Sequence, residues 1–141
     1  MNQNRAAIGW RERLALPDWG IDSIIAKVDT GARTSSIHVA DVREIDEKTV
    51  EFEVVLGRRQ AHRHVTVQAP FVRHSRVRSS NGVVTERYVV RTRMILAGVE
   101  KEIEVSLMAR DNMICRMLLG RTALGADFVI YPDIKHIKAV P

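Results

Sequence analysis

The stretch "KVDTGARTSSIHVA", residues 27–40, contains the residues that decide the fold. A short apolar run ends directly at Asp29, and Thr30, Gly31 and Ala32 follow it. Gly31 permits a tight turn and the close approach of another backbone, and the small side chains of Thr30 and Ala32 leave room beside the carboxylate. An isolated Asp-Thr-Gly is typical of an ordinary β-turn, so the interpretation of Asp29 depends on the rest of the chain.

Strand patterns dominate the remaining sequence. The segments at 49–56 ("TVEFEVVL") and 101–108 ("KEIEVSLM") alternate apolar and polar residues with period two, and the runs at 23–29 and 128–133 are shorter and more apolar. Turn-forming residues separate the strands: Pro17-Asp18, Asp46-Glu47-Lys48, Gly57, Asn81-Gly82, Ala97-Gly98 and Asp111-Asn112. Many short strands at this spacing predict an all-β sandwich or barrel.

A second glycine-containing segment lies near the C-terminus. In "MLLGRTAL" (117–124), apolar residues precede Gly120, which would let the segment pass close to the turn at Gly31. The residues that follow, "RTALGAD" (121–127), predict a helix of one or two turns that ends at Gly125.

The pair Asn81-Gly82 predicts a β-hairpin. It lies between strand-like residues in "RVRSSNGVVTERYVV" (76–90), and Asn-Gly is a strong hairpin signal because both positions can adopt positive φ. Two interpretations are open: a plain surface hairpin, or a mobile hairpin over a cleft whose arginines face a ligand. The arginines around it are Arg73, Arg76, Arg78, Arg87, Arg91 and Arg93.

The basic charge is concentrated in the middle third of the chain. The net charge is +5, but residues 57–93 contain nine arginines against one acidic residue, Glu86. This segment is either a solvated basic face or a surface for an anionic partner.

Length and composition favour one domain, residues 1–141, of a soluble globular class. No apolar run approaches the roughly 18 residues needed to span a bilayer, and "MNQNRAAIGW" lacks the apolar region of a secretory signal. The single cysteine, Cys115, cannot form an intramolecular disulfide, which favours the cytoplasm. We interpret Cys115 as a buried, inert thiol rather than a nucleophile.

The sequence predicts neither a metal site nor a cofactor. There is no His-Glu-x-x-His motif, no cysteine pair and no phosphate-binding glycine loop. His62 and His64 would share one face of a strand and could chelate a metal, but no third ligand is evident. We interpret His38 and His74 as surface or hydrogen-bonded residues.

"DTGA" followed by "LLGRTAL" resembles the retropepsin-type aspartic peptidases. The blocks at 8–21, 27–39, 77–90 and 116–124 are similar to one bacterial group within them, often labelled "ATP-dependent zinc protease" or retropepsin-like endopeptidase. The resemblance implies an all-β, closed six-stranded-type acid-protease barrel with one short helix near the C-terminus. It also implies an aspartic-type endopeptidase in which each chain supplies one catalytic residue, here Asp29.

One catalytic aspartate per chain implies a homodimer with two Asp29 side chains facing each other across a two-fold axis. The resemblance further implies that Thr30 cross-links the two motifs and that the Gly31 amide supports the carboxylate. Ala32, Gly120 and Arg121 complete the active-site support. Viral relatives usually carry an acidic residue after DTGA that pairs with the arginine of the second segment.

In this chain the residue after DTGA is Arg33, so that pairing with Arg121 is impossible and the two charges would repel each other if placed together. Arg33 could instead point into the cleft.

The hairpin resembles the flap that covers substrate in the same peptidases. By this resemblance Arg78, Ser80, Asn81 and Gly82 are expected to bind substrate, together with Arg33. The arginine-rich segment favours an acidic or glutamate-rich peptide. The resemblance also implies a role alongside a ligase that adds glutamate tails to a small-subunit ribosomal protein.

Two other functions stay open at this point. One is a non-catalytic, basic β-barrel module that binds RNA or the ribosome. Nucleic acid is the less favoured partner, because the basic segment offers only Phe71 and Tyr88 as stacking platforms. The other is a barrel that lacks activity and regulates a neighbouring glutamate ligase.

Overall fold

The structure is a computed structural model that describes residues 5–56, 64–109 and 115–137 of the chain. Strands make up most of the described residues, which confirms the prediction of an all-β protein with one short helix near the C-terminus. The elements in chain order are β1 (Ala6–Leu16), a 3-10 turn (Pro17–Trp19), β2 (Ile21–Val28), β3 (Ser35–Glu44), β4 (Thr49–Val55), β5 (His64–Arg78), β6 (Val84–Leu96), β7 (Val99–Met108), β8 (Met117–Leu119), α1 (Arg121–Leu124) and β9 (Phe128–Lys135).

The strands close into a ring. Following the hydrogen-bonded neighbours from β1 through β2, β8, β3 and β7 leads to β6, and β6 pairs with β1 again where Ile95 lies opposite Ala15. These six strands correspond to the predicted six-stranded closure. A pairing between β3 and β4 closes a second ring through β5, β6 and β7, and β9 lies outside both rings as a parallel neighbour of β1.

The alternating pattern of the sequence produces the core. In β4 the side chains of Val50, Phe52 and Val54 are buried, whereas Glu51 and Glu53 on the opposite face are only partly covered. Trp19 packs edge to face against Phe52, with ring centroids 5.3 Å apart. Because aromatic residues are few, most of the remaining core is aliphatic, which the composition predicts.

Two hairpin turns show how glycine sets local geometry. The two-residue turn between β6 and β7 has φ values of 52° at Ala97 and 80° at Gly98, the mirror-image turn that matches the twist of paired strands. At Asn81-Gly82 only Gly82 has a positive φ, 87°, so this loop is not the two-residue turn that Asn-Gly favours. The predicted turns at Gly57 and at Asp111-Asn112 lie outside the described residues.

A buried carboxylate, not predicted by the sequence pattern, holds the chain just after β9. Glu12 is fully buried, and its Oε2 accepts hydrogen bonds of 2.8 Å from the amides of Gly9 and Ile137. A Cβ on Gly9 would lie 2.2 Å from the carbonyl oxygen of Ile134, so only glycine allows β9 to approach so closely.

In the part of the chain that the structure describes, no helix has the length and apolar character needed to cross a bilayer.

Candidate active site

Asp29 directly follows β2, at the point where that strand ends. Its amide donates a 2.8 Å hydrogen bond to the carbonyl of Leu119, which extends the parallel pairing of β2 and β8 by one step. The Gly31 amide donates to Asp29 Oδ1 at 3.1 Å, and the Ala32 amide donates to the Asp29 carbonyl at 3.1 Å. The half-buried carboxylate is therefore held in one orientation by the backbone of its own turn.

The second glycine-containing segment crosses the same turn. The amides of Arg121 and Thr122 donate to the carbonyls of Ala32 and Arg33 at 2.8 and 3.1 Å, and Thr122 Oγ1 donates to the Arg33 carbonyl at 2.7 Å. A Cβ on Gly120 would lie 2.7 Å from the backbone carbon of Thr34. The close approach expected at Gly120 is present, centred on residues 33–34 rather than on Gly31.

Two side chains in this contact were missed by sequence reasoning. Thr122 is one, and buried Ser35, whose Oγ accepts the Gly120 amide at 3.0 Å, is the other. Both are small hydroxyl residues within the two glycine-containing segments. Their role could be found only once the two segments were known to pack together.

Arg121 supports the turn with its side chain as well as its backbone. Its Nη1 donates to the carbonyl of Gly31 at 3.2 Å and reaches that of Thr30 at 3.5 Å. The Arg121 guanidinium thus donates to backbone carbonyls. In viral relatives the corresponding arginine pairs with an acidic side chain instead. Arg33 has a separate location, so its charge does not compete for the same acceptors.

Arg33 lines an open groove of about 610 Å³ beside the turn. The other residues that line it are Thr34, Arg73, Glu104 and Thr122. Arg73 Nη1 lies 2.7 Å from Glu104 Oε1, and Arg91 Nη2 lies 3.3 Å from Glu104 Oε2. The hydrogen bond from Arg73, with that from Arg91, lowers the pKa of the Glu104 carboxyl despite its partial burial, so Glu104 stays ionised at neutral pH.

The predicted hairpin is present, and no hydrogen bond in the described chain joins its tip to the Asp29 turn. In the described chain the hydrogen bonds of loop 79–83 remain within the loop: the Ser79 amide donates to Val83 at 2.9 Å, and Gly82 donates to Ser79 at 3.0 Å. The Asn81 side chain accepts from the Ser79 hydroxyl and from the Val83 amide. Ser80, Asn81, Gly82 and Arg78 are all exposed, and none is bonded to the turn at Asp29 in this single chain.

Ion pairs neutralise most of the described part of the arginine-rich segment. Four of its arginines, Arg73, Arg76, Arg91 and Arg93, pair with acidic residues on β6, on β7 and in the 3-10 turn. Within residues 64–93, only Arg78 and Arg87 form no ion pair. Residues 64–93 are therefore much less positive than their composition indicates, which weakens the case for a nucleic-acid surface on this part of the segment.

An aromatic cluster ties the base of the hairpin to β3. Tyr88 stacks on His74 with ring centroids 4.2 Å apart and contacts Phe71 edge to face at 5.2 Å. The Tyr88 hydroxyl donates to Glu44 Oε1 at 3.0 Å. Burial, this hydrogen bond and the nearby carboxylates of Glu44 and Glu86 raise the pKa of Tyr88 to about 12. The base of the hairpin is thus bonded to β3, whereas the described hydrogen bonds of the tip stay within the loop.

The histidines give no metal site in the described residues. His62 lies outside them, so its pairing with His64 is not described, and His64 Nδ1 lies 3.3 Å from Glu53 Oε1. Across residues 5–56, 64–109 and 115–137, no group of three or more His, Cys, Asp or Glu side chains could hold a metal ion. His38 is buried and His74 lies 3.5 Å from Glu86, while Cys115 is buried as expected.

The closed ring of strands, with Asp29 at the end of one strand and a Gly-Arg segment crossing its turn, defines a retropepsin-like protein. The chain belongs to the RimB-like family: the family profile, described as retropepsin-like aspartic endopeptidase RimB, matches residues 7–141. The recognition made from the DTGA and LLGRTAL blocks is confirmed. A crystal structure of a Legionella pneumophila protein of unknown function has the same fold, with a TM-score of 0.76, 24% identity, and coverage of 94% of this chain and 97% of that one.

Two curated relatives add a different name. A protein of Shewanella halifaxensis is 36% identical over 94% of this chain, and one of Desulfotalea psychrophila is 37% identical over 91% of it. Both are named probable alpha-L-glutamate ligase. The chain spans only 30% and 28% of their lengths, so it corresponds to a part of each of these longer proteins.

Proposed function

We propose that this protein is an aspartic endopeptidase whose active centre forms when two copies bring their Asp29 carboxylates together. The observation that carries the proposal is the support of Asp29: its orientation is fixed by the Gly31 amide, and its turn is held by residues 120–122. Such rigid placement is what acid–base chemistry needs. One chain supplies one such carboxylate, so a second copy has to complete the centre.

The chemistry follows from the closeness of two like charges. Two carboxylates in contact cannot both ionise, so the pair shares one proton. The ionised Asp29 takes a proton from a water molecule bound between the two groups, and that water attacks the peptide carbonyl. The protonated Asp29 of the other copy donates its proton to the carbonyl oxygen. When the C–N bond breaks, the leaving nitrogen takes the proton that the first Asp29 removed from water, and the new carboxyl group returns a proton to the second Asp29. No covalent intermediate forms on the protein.

The surrounding residues have supporting roles in this scheme. Thr30 is exposed at the turn and is free to cross-link the two copies, while Arg121 holds the carbonyls of Thr30 and Gly31 from below. The loop at Ser80, Asn81 and Gly82 closes over the bound peptide and excludes water. The exposed Val83 at this loop, with 56% of its surface accessible, would gain cover on closure.

We further propose glutamate-rich peptides as substrates. Two observations support this class: Arg33 is an exposed cation without an ion pair beside the Asp29 turn in the described structure, and the longer relatives are named glutamate ligases. An enzyme that shortens glutamate chains is a chemically sensible companion of one that builds them. The tail on a ribosomal protein is the form of substrate that the family resemblance favours.

Asp29→Asn tests the proposal most simply. The amide keeps the shape of the side chain and still accepts the Gly31 amide, but it cannot exchange a proton at neutral pH. We expect hydrolysis of an oligoglutamate peptide to fall by about 10²–10⁴-fold or more, with thermal unfolding unchanged. Asp46→Asn is a matched control, because Asp46 Oδ1 accepts the Lys48 amide at 2.8 Å across the same i to i+2 spacing. Hydrolysis by Asp29→Asn at the original rate would refute the proposal.

A second candidate is a binding module that regulates a glutamate ligase. The names of the longer relatives favour it, since the matching segment lies within proteins named as ligases. The two candidates differ in a direct measurement. The peptidase predicts cleavage of oligoglutamate by the purified chain alone, whereas the regulatory module predicts no cleavage at any concentration and a changed rate of the added ligase.

A further inference from the structure

The groove beside the Asp29 turn has an unusual distribution of charge. It is lined by Arg33 and Thr34, which come shortly after the turn, and by Thr122 from the crossing segment. Arg73 of β5 and Glu104 of β7 line it as well. Two guanidinium groups and one carboxylate therefore line one cavity of about 610 Å³ that begins four residues after Asp29.

The resident carboxylate is already satisfied. Glu104 is bonded on one oxygen by Arg73 and on the other by Arg91, and its exposed side-chain fraction is 32%. Arg33 has no ion pair in the described structure, and its backbone is fixed by two hydrogen bonds from Thr122 to its carbonyl. The groove thus carries one uncompensated positive charge on an anchored residue, which matches a single additional carboxylate.

We propose that this groove is a specificity site that binds one acidic side chain of the peptide, with Arg33 as the residue that reads it. This rests on the proposed function, because it takes the Asp29 turn as the place where the peptide lies. A guanidinium binds a carboxylate through two parallel N–H donors, which selects Glu over the uncharged Gln of the same shape. Arg73 also lines the groove, but its charge is neutralised by Glu104.

The groove separates Arg33 from the two unpaired arginines in the described part of the arginine-rich segment. Arg78 and Arg87 are also exposed and unpaired in the described chain, but neither lines this groove. A diffuse attraction for acidic peptides would involve all three alike, since long-range charge effects depend on net charge and salt. A built site depends on Arg33 alone. Arg87 is therefore the matched control for Arg33.

Binding to an inactive background tests this without the need for turnover. Asp29→Asn protein is titrated with hexaglutamate and with hexaglutamine at about 0.15 M salt, where exposed charges more than about 8 Å apart are largely screened. We expect Arg33→Met to raise the Kd for hexaglutamate by about tenfold or more, as for loss of a charged hydrogen bond, and to leave hexaglutamine unaffected. Arg33→Lys should lose part of the preference, and Arg87→Met should change the Kd less than about twofold.

A second variant is expected to strengthen binding. Because a misfolded protein would not bind more tightly, this variant separates an effect on the site from misfolding. Glu104→Gln removes the resident negative charge and frees Arg73, so we expect it to lower the Kd for hexaglutamate severalfold. Equal effects of Arg33→Met and Arg87→Met, or no gain from Glu104→Gln, would overturn the proposal. If wild-type protein binds hexaglutamate through Arg33 but never cleaves it, the proposed peptidase fails and this site stands. If it cleaves glutamine and glutamate peptides equally well, the site fails and the peptidase stands.

Discussion

The turn at Asp29 and the loop at 79–83 are both glycine-containing turns, yet they are held in opposite ways. The Asp29 turn is bonded to residues about ninety positions away in the chain, through the backbone and side chains of Arg121 and Thr122. The 79–83 loop bonds only to itself in the described structure. A site that joins a rigid base to a loosely held cover can fix its reacting groups and still admit a substrate.

Gly120→Ala should disturb the more rigidly held of the two regions, the Asp29 turn. The new Cβ would lie 2.7 Å from the Thr34 backbone carbon and 2.9 Å from that of Arg33, and a backbone cannot move as a flexible side chain does. We expect a loss of about 3 kcal/mol in the free energy of unfolding, measured by denaturant titration. Peptide hydrolysis should fall by at least about tenfold, because the turn that carries Asp29 shifts. Unchanged stability would show that the two segments are not in tight contact.

High pH should destabilise the folded protein through Tyr88, at the base of the hairpin. Tyr88 keeps its proton in the folded protein up to a pKa of about 12, whereas a phenol in the unfolded chain ionises near 10. Between these values the folded state binds more protons, so the contribution is fully present below pH 10 and is lost as pH rises to 12. We expect the free energy of unfolding to fall on the order of 2 kcal/mol over this pH range. Tyr88→Phe should reduce this fall, whereas Tyr131→Phe should leave it unchanged. An identical fall in Tyr88→Phe would contradict this assignment.

Gly82→Ala tests the loosely held side and should have the smallest effect. No atom lies within 4 Å of the new Cβ, so the only cost is the positive φ of 87° at this residue. We expect a loss of about 1 kcal/mol in the free energy of unfolding, measured as for Gly120→Ala. The rate of hydrolysis should change less than it does in Gly120→Ala. A larger effect than that of Gly120→Ala would reverse the contrast between the two regions.

The sequence predicted those parts of the fold that depend on local pattern. Period-two alternation located β4 and β7, and the glycine after the apolar run located α1 and its end at Gly125. It did not locate the buried Glu12 or the bonds of Ser35 and Thr122, because these depend on which distant segments meet. Period-two alternation determines which face of a strand is buried. Which distant residues then meet depends on the order in which the strands pair around the ring.

The same limit explains the arginine-rich segment. Its charge is high when counted along the chain, but strand pairing places Glu102 opposite Arg93 and Glu104 opposite Arg91. Cross-strand ion pairs therefore consume charge that composition alone assigns to a ligand. Arg33, in a stretch with little net charge of its own, is an exposed cation that lines the groove beside the Asp29 turn.

The central claim is that hydrolysis needs Asp29 from two copies, and a mixing measurement tests it most directly. A fixed amount of wild-type protein is co-refolded with a ninefold excess of Asp29→Asn, and hydrolysis of excess oligoglutamate is measured. Random pairing predicts that the rate falls to about one tenth of that of the same wild-type protein alone, because mixed pairs are inactive. A rate unaffected by the excess variant would mean that one chain carries a complete active site, and would contradict the account.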